Sequence, residues 1–207
     1  MGFFPEEYFR STVDYIADVQ QHDGAIPWFK DGYLDPWDHV ESAMGLTIGR
    51  RYDEAKQAYY WLKNNQLPNG SWLAAYKDNK VEDGTRAESN FVAYIATGVW
   101  HYYLVTNEIK FLETMWPVVE SAIEFVLRLQ GDHGQIYWAE DTTLGIREDS
   151  LITGCSSIYK SIECALNIAT KLEQKVSHWA LARTKLANAL LTHPDCFDRT
   201  WDSKSRF

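Results

Sequence analysis

The stretch Phe125-Val126-Leu127-Arg128-Leu129-Gln130-Gly131-Asp132-His133-Gly134-Gln135-Ile136-Tyr137-Trp138 decides the fold, because its skeleton occurs twice more upstream. An aromatic residue stands five positions before a glutamine in each copy: Tyr15 before Gln20, Trp61 before Gln66, and Phe125 before Gln130. A polar residue follows each glutamine at +3 (Asp23, Asn69, His133) and a glycine at +4 (Gly24, Gly70, Gly134). A tryptophan then closes the unit at +8, +6 and +8 (Trp28, Trp72, Trp138). Each copy falls where an amphipathic helical stretch ends, so the glycine supplies the left-handed turn beyond a helix C-terminus. The glutamine is placed to satisfy free backbone groups there, and the tryptophan to cap the apolar end of a hairpin.

Outward from these turns, apolar residues recur with a helical period and strand-like alternation is almost absent. The pattern predicts seven helices, near 5–20, 36–49, 51–66, 86–106, 108–130, 149–173 and 175–192. Asp35-Pro36 places a cap before a first-turn proline, and Asn107 precedes Glu108. Pro117 should kink the fifth helix or mark a late start. In that helix Phe111, Met115, Val118, Val119, Ile123 and Val126 face one way, and Lys110, Glu113, Glu120, Glu124 and Arg128 face elsewhere. The first, third and seventh helices are amphipathic too. The second, fourth and sixth are apolar almost all round and rich in small residues, as in Ala43-Met44-Gly45-Leu46 and Ala93-Tyr94-Ile95-Ala96-Thr97-Gly98. An all-round apolar helix is an inner helix, and small residues let its neighbours approach closely. The expectation is one all-α domain over 1–207, built from inner and outer helices in alternation, as hairpins around a centre.

Composition narrows the partners. Aromatic residues are 14% of the chain, enough both for core and for stacking on ring-shaped ligands. A formal charge of −9 repels phosphate backbones and anionic membranes, so neither nucleic acid nor a membrane is an expected partner. Cys155, Cys164 and Cys196 lack CxxC spacing and read as buried free thiols of a cytoplasmic protein. No cofactor or metal is expected: His193, Asp195 and Cys196 are too compressed for an open zinc site.

Gln–Gly–Trp turns that close outer helices resemble the (α/α) toroids, a superfamily that includes the six-hairpin glycosidases and the terpenoid cyclase and protein prenyltransferase toroids. Three loop-to-inner-helix entries lean to glucoamylase-type enzymes: Tyr33-Leu34-Asp35-Pro36-Trp37-Asp38, Asp83-Gly84-Thr85-Arg86-Ala87-Glu88, and Arg147-Glu148-Asp149 followed by Gly154-Cys155-Ser156-Ser157. The resemblance implies a carbohydrate-active enzyme, a glycoside hydrolase working through carboxylates at inner-helix N-termini. It matches Asp38 to a substrate-binding aspartate and Glu148 to the region of the catalytic general acid. Arg147 stands where the family has a tryptophan. The family's second carboxylate comes from the last hairpins, and six hairpins need twelve helices. The ending from Phe197 to Phe207 reads like the approach to another inner helix. The chain is therefore expected to be incomplete at its C-terminus, with further helices or copies in a homo-oligomer completing the ring.

Glycoside hydrolysis needs two carboxyl groups facing one sugar bond, in one cleft and within roughly 10 Å of each other. The candidates gather at the inner-helix starts: Asp38 and Glu148 for catalysis, with Trp37, Glu41, Arg86, Glu88, Trp138 and Asp149 for substrate binding. Acids at helix starts are also ordinary cap and dipole partners. Arg86 suits a structural salt bridge, and His39 and His101 suit hydrogen-bonded core positions. Two other functions stand beside hydrolysis: a non-catalytic toroid that binds a glycan or partner through its aromatic mouth, and terpenoid cyclase or prenyltransferase chemistry. Against the last, no two aspartates are adjacent, and Asp35-x-x-Asp38 is the nearest approach.

Overall fold

A computed structural model describes residues 6–198. Its helices are α1 (Arg10–Val19), α2 (Pro36–Ile48), α3 (Tyr52–Asn65), α4 (Ser89–Thr106), α5 (Ile109–Arg128), α6 (Ile152–Lys171) and α7 (Ser177–Thr192). The inner helices pack in the series α2, α4, α6, and each rests on the outer helix that follows it: α2 on α3, α4 on α5, α6 on α7. This is an all-α arc of alternating inner and outer helices.

Two kinds of connection build the arc, and each repeats. Inner helices turn into outer ones through short links that carry one left-handed residue each: Arg50 (φ 61°), Asn107 (φ 55°) and Glu173 (φ 56°). Outer helices return to inner ones through the glutamine turns. Gln20 Nε2 donates to Gly24 O (3.1 Å) and to Glu54 O of α3 (2.9 Å). Gln66 Nε2 donates to Gly70 O (2.9 Å) and to Val118 O of α5 (2.9 Å). Gln130 Nε2 donates to Gly134 O (3.0 Å) and to Ala182 O of α7 (2.9 Å). Each glutamine thus closes its own turn and fastens it to the next outer helix. The three glycines have φ of 98°, 91° and 94° and lie flat against that same helix: a Cβ would sit 2.3, 2.1 and 2.4 Å from the carbonyl oxygens of Gln57, Ser121 and Lys185. Glycine is therefore required on two counts, backbone conformation and space.

The tryptophans of the repeat do not share one role. Trp72 is fully buried and donates to Leu62 O at 2.8 Å, as a hairpin cap should. Trp28 is 50% exposed, and Trp138 is half-buried beneath Arg86. Most of the aromatic excess is core: Trp61, Trp72, Trp179, Tyr59, Tyr102, Phe111 and Phe125 are fully buried. Cys155 and Cys164 are buried thiols, and burial pushes Cys155 up to about 12.

Several expectations are corrected. Five short strands are present: β1 (Ala75–Lys77), β2 (Lys80–Asp83), β3 (Arg86–Glu88), β4 (Ala139–Asp141) and β5 (Gly145–Arg147). β1 and β2 form an antiparallel hairpin, and β3, β4 and β5 an antiparallel sheet in that order. The fourth helix therefore starts at Ser89 and not at 86, because Arg86–Glu88 pairs with β4. The sixth starts at Ile152, since Asp149 O accepts from Trp138 N (2.8 Å). The fifth runs through Pro117 from Ile109, so the proline marks no late start. Of the C-terminal approach, Phe197 is buried and Asp198 N donates to Ser150 O (2.8 Å), and residues 199–207 lie outside the described part. Among the described residues no helix is long and apolar enough to cross a membrane.

Candidate functional site

All the long connections lie at one end of the arc, where the inner helices begin, and two clefts open there. The first, of about 220 Å³, lies between α1 and α2 and is lined by Tyr15, Ile16, Val19, Trp28, Asp38 and Glu41 among others. Its geometry starts from Asp35, the N-cap of α2. Asp35 Oδ1 accepts from Asp38 N (2.9 Å), holding the helix start. Asp35 Oδ2 accepts from Trp28 Nε1 (2.7 Å), holding an exposed indole upright beside Asp38. Asp38 itself is exposed to the cleft. Partial burial lifts its pKa to about 6, helped by the charge of Asp35, a hydrogen bond with Asp35 and the charge of Glu41. A carboxyl that keeps its proton to about pH 6 suits proton donation to a glycosidic oxygen. Glu41 stands one turn further along the same face and accepts from Tyr94 OH at 3.3 Å.

The second cleft, of about 340 Å³, lies at the start of α6 and is lined by Trp138, Leu144, Ile146, Arg147, Glu148 and Asp149. Between the clefts, the strand β3 carries Arg86 and Glu88 to the start of α4. Arg86 forms ion pairs with Asp83 (2.9 Å) and Glu88 (2.7 Å), and its guanidinium carbon lies 5.6 Å from the Trp138 ring centre. Burial raises the Glu88 carboxyl above its ordinary value, against the opposing charge of Arg86. Trp37 stacks on Tyr94 with ring centres 3.8 Å apart and 8° between planes, so one of its faces is already covered.

His39 is a core residue. Nε2–H donates to Ala58 O (2.8 Å) and Nδ1 accepts from Ile26 N (3.1 Å), which fixes the neutral ring tautomer. Burial pushes its pKa down to about 4. Among the described residues no group of His, Cys, Asp and Glu is arranged to hold a metal.

No protein-family model matches the chain. It is 45% identical over 196 residues to an MMP endo-(1,4)-3-O-methyl-alpha-D-mannosidase from Mycolicibacterium hassiacum, a match covering 95% of this chain and 54% of that protein. A family 105 glycoside hydrolase from C. acetobutylicum ATCC 824 superposes with a TM-score of 0.67 at 10% identity, over 89% of this chain and 55% of that one. The chain has the (α/α) toroid fold. The ent-copalyl diphosphate synthase from Streptomyces platensis shares the toroid fold with a TM-score of 0.58 at 18% identity, over 85% of this chain and 30% of that one. The chain spans about half the length of the curated relative it matches.

The toroid arc brings Trp28, Asp35, Asp38 and Glu41 together, and separately Trp138, Glu148 and Asp149. Asp38 lines the first cleft and Glu148 the second. Arg86 has the structural pairing that its place before a helix suggested. The sequence places Trp28 and Asp35 near the inner-helix starts without assigning them these roles beside Asp38, and it does not single out the apolar pair Leu144 and Ile146. The Trp28 signal was available: it is the repeat tryptophan followed seven residues later by the cap of an inner helix.

Proposed function

We propose that this toroid arc carries the acid side of a glycoside-hydrolysing mouth, with Asp38 as the proton donor and an α-(1,4)-linked mannoside, 3-O-methylated as in the relative's name, as the substrate class. The carrying observation is the Trp28–Asp35–Asp38 arrangement: a carboxyl held near pKa 6 beside an upright indole, at an inner-helix start. In this reading the aromatic ring stacks on a sugar face, and Asp38 gives its proton to the leaving oxygen. Glu41 lies on the same helix face and hence on the same side of the bond. The facing wall, Tyr15, Ile16 and Val19, carries no carboxyl. The opposing base or nucleophile therefore comes from outside the described residues, in keeping with a relative nearly twice as long. Further hairpins, or a second copy, would close the ring and bring that group across. Glu148, in the second cleft, serves as a sugar-hydroxyl acceptor and not as the acid. Three unpaired thiols support a cytoplasmic setting.

The test is incubation of the chain with short α-(1,4)-linked 3-O-methylmannose oligosaccharides, with products read by mass spectrometry and binding by calorimetry. Cleavage is expected to fall by roughly 10²- to 10⁴-fold in Asp38→Asn, with binding kept. Equal turnover by that variant removes Asp38 from the mechanism. Binding without cleavage shows that the arc holds the glycan without its opposing base, and absence of binding ends the glycan reading.

A further inference from the structure

The second cleft has one wall that helix-end chemistry does not call for. Leu144 is 69% and Ile146 41% exposed, side by side on the β4–β5 hairpin and facing the same cleft as Trp138 and Glu148. Single exposed apolar side chains are ordinary, whereas neighbouring ones that line one cleft mark a contact surface. This pair is fixed from several directions. Asp141 Oδ1 accepts from the N–H groups of Thr143 (2.8 Å) and Leu144 (2.9 Å), and Gly145 takes a left-handed φ of 76° to turn the chain back. Thr142 Oγ1 donates to the carbonyls of Gly84 (3.0 Å) and Thr85 (3.1 Å), which ties the hairpin tip to the strand leading into α4. At the base, Trp138 N donates to Asp149 O (2.8 Å) while Trp138 O accepts from Ser89 N (2.8 Å). The hairpin is thus anchored to the starts of both α4 and α6.

The cleft is also charged: Arg147 and Glu148 are exposed beside the buried Asp149. A volume of about 340 Å³ falls within the usual range of small-molecule sites, roughly 300–1,000 Å³. A sugar presents hydroxyls at its edges, which a carboxylate accepts, and C–H surface on its faces. An O-methyl group replaces one hydroxyl donor by an apolar cap that needs an apolar neighbour. We infer that this cleft is a sugar subsite selecting O-methylated over unmethylated rings, with Leu144 and Ile146 as the specificity-determining side chains and Glu148 as a hydroxyl acceptor. The inference rests on the glycan reading above and assigns its selectivity to particular residues.

The experiment compares binding of two short α-(1,4)-linked oligosaccharides of equal length, one of 3-O-methylmannose and one of mannose, by calorimetry on the full chain. The parent is expected to prefer the methylated ligand by about tenfold, the lower end of what one extra carbon in an apolar site confers. The Leu144→Ser/Ile146→Thr double variant should bind both ligands alike, with affinity for the unmethylated one within about twofold of the parent's. Both positions are exposed, so the fold is kept, and an unchanged circular dichroism melt verifies it. A parent without preference, or a double variant that keeps it, overturns the selectivity and leaves glycan binding standing. Failure of the parent to bind either oligosaccharide overturns both.

Discussion

Trp28 Nε1 donates to Asp35 Oδ2 at 2.7 Å, so the indole beside the candidate acid is positioned by the same carboxylate that raises that acid's pKa. One residue positions the ring and adds to the burial that holds the proton. Asp35→Asn keeps an acceptor for the helix cap but removes the charge. The Asp38 carboxyl is then expected to titrate below its present value of about 6, part of the way to the ordinary 3.8, since burial persists. Carboxyl-labelled NMR titration measures it. An Asp38 midpoint that stays near 6 would show that Asp35 plays no electrostatic part.

Asp38 should also weaken the fold that holds it. Its pKa is raised in the folded state, so the native chain binds this proton more tightly than the unfolded chain does. That contribution to stability is fully present below about pH 3.8 and is lost as pH rises through about 6. Asp38→Asn removes the ionisation, so its urea midpoint is expected to exceed the parent's at pH 7.5 and to converge with it near pH 4. A lower midpoint at pH 7.5 would contradict the assignment.

His39 runs the other way. Its pKa is depressed from 6.5 to about 4, so the neutral ring stabilises the fold above pH 6.5, and that stabilisation is lost as pH falls through about 4. His39→Leu leaves the Ile26 N–H buried without its partner and removes the bond to Ala58 O, and is expected to cost roughly 1–3 kcal/mol in urea unfolding at pH 7. A nitrogen-15 spectrum showing a protonated Nδ1 at pH 7 would refute the tautomer.

The glutamine braces make a graded prediction. Gln66→Ala loses the bonds to Gly70 O and Val118 O and should cost roughly 1–3 kcal/mol. Gly70→Ala should cost more, since it combines backbone strain of roughly 1–3 kcal/mol with a Cβ 2.1 Å from Ser121 O. Denaturant midpoints in the reverse order would show that the turn is set by something other than glycine.

The helices were legible because their signals are long and redundant. Asp35-Pro36 marks a start and the Gln–Gly spacing recurs, whereas Asn107, which reads as a start signal, ends α4 as its left-handed C-cap. The strands were not, because three or four residues show no period, and Lys80-Val81-Glu82-Asp83 carries too much charge to read as one. Asp78-Asn79 was the available clue: both residues take positive φ (49° and 60°), the two-residue hairpin turn that Asn and Asp tolerate. The acids were legible as a group at the inner-helix starts, since capping and helix dipoles put them there. Their division between two clefts was not, because it depends on where the β4–β5 hairpin lies, and that is set by long-range pairing with β3.

The paired glutamine bonds also govern how the arc comes apart. Each joins one outer helix to the next and reaches no further, so the layer is a zip of like teeth with no bolt across its span. Stability in such an assembly resides in neighbour-to-neighbour contacts, and loss begins wherever a neighbour is missing. Amide protons of α1 and α7 should exchange first, and those of α4, packed against α2, α5 and α6, last. A sugar held between the starts of α4 and α6 would grip the slowest teeth of the zip, so occupancy of the hairpin cleft should slow exchange at the middle of the chain before it slows it at either end.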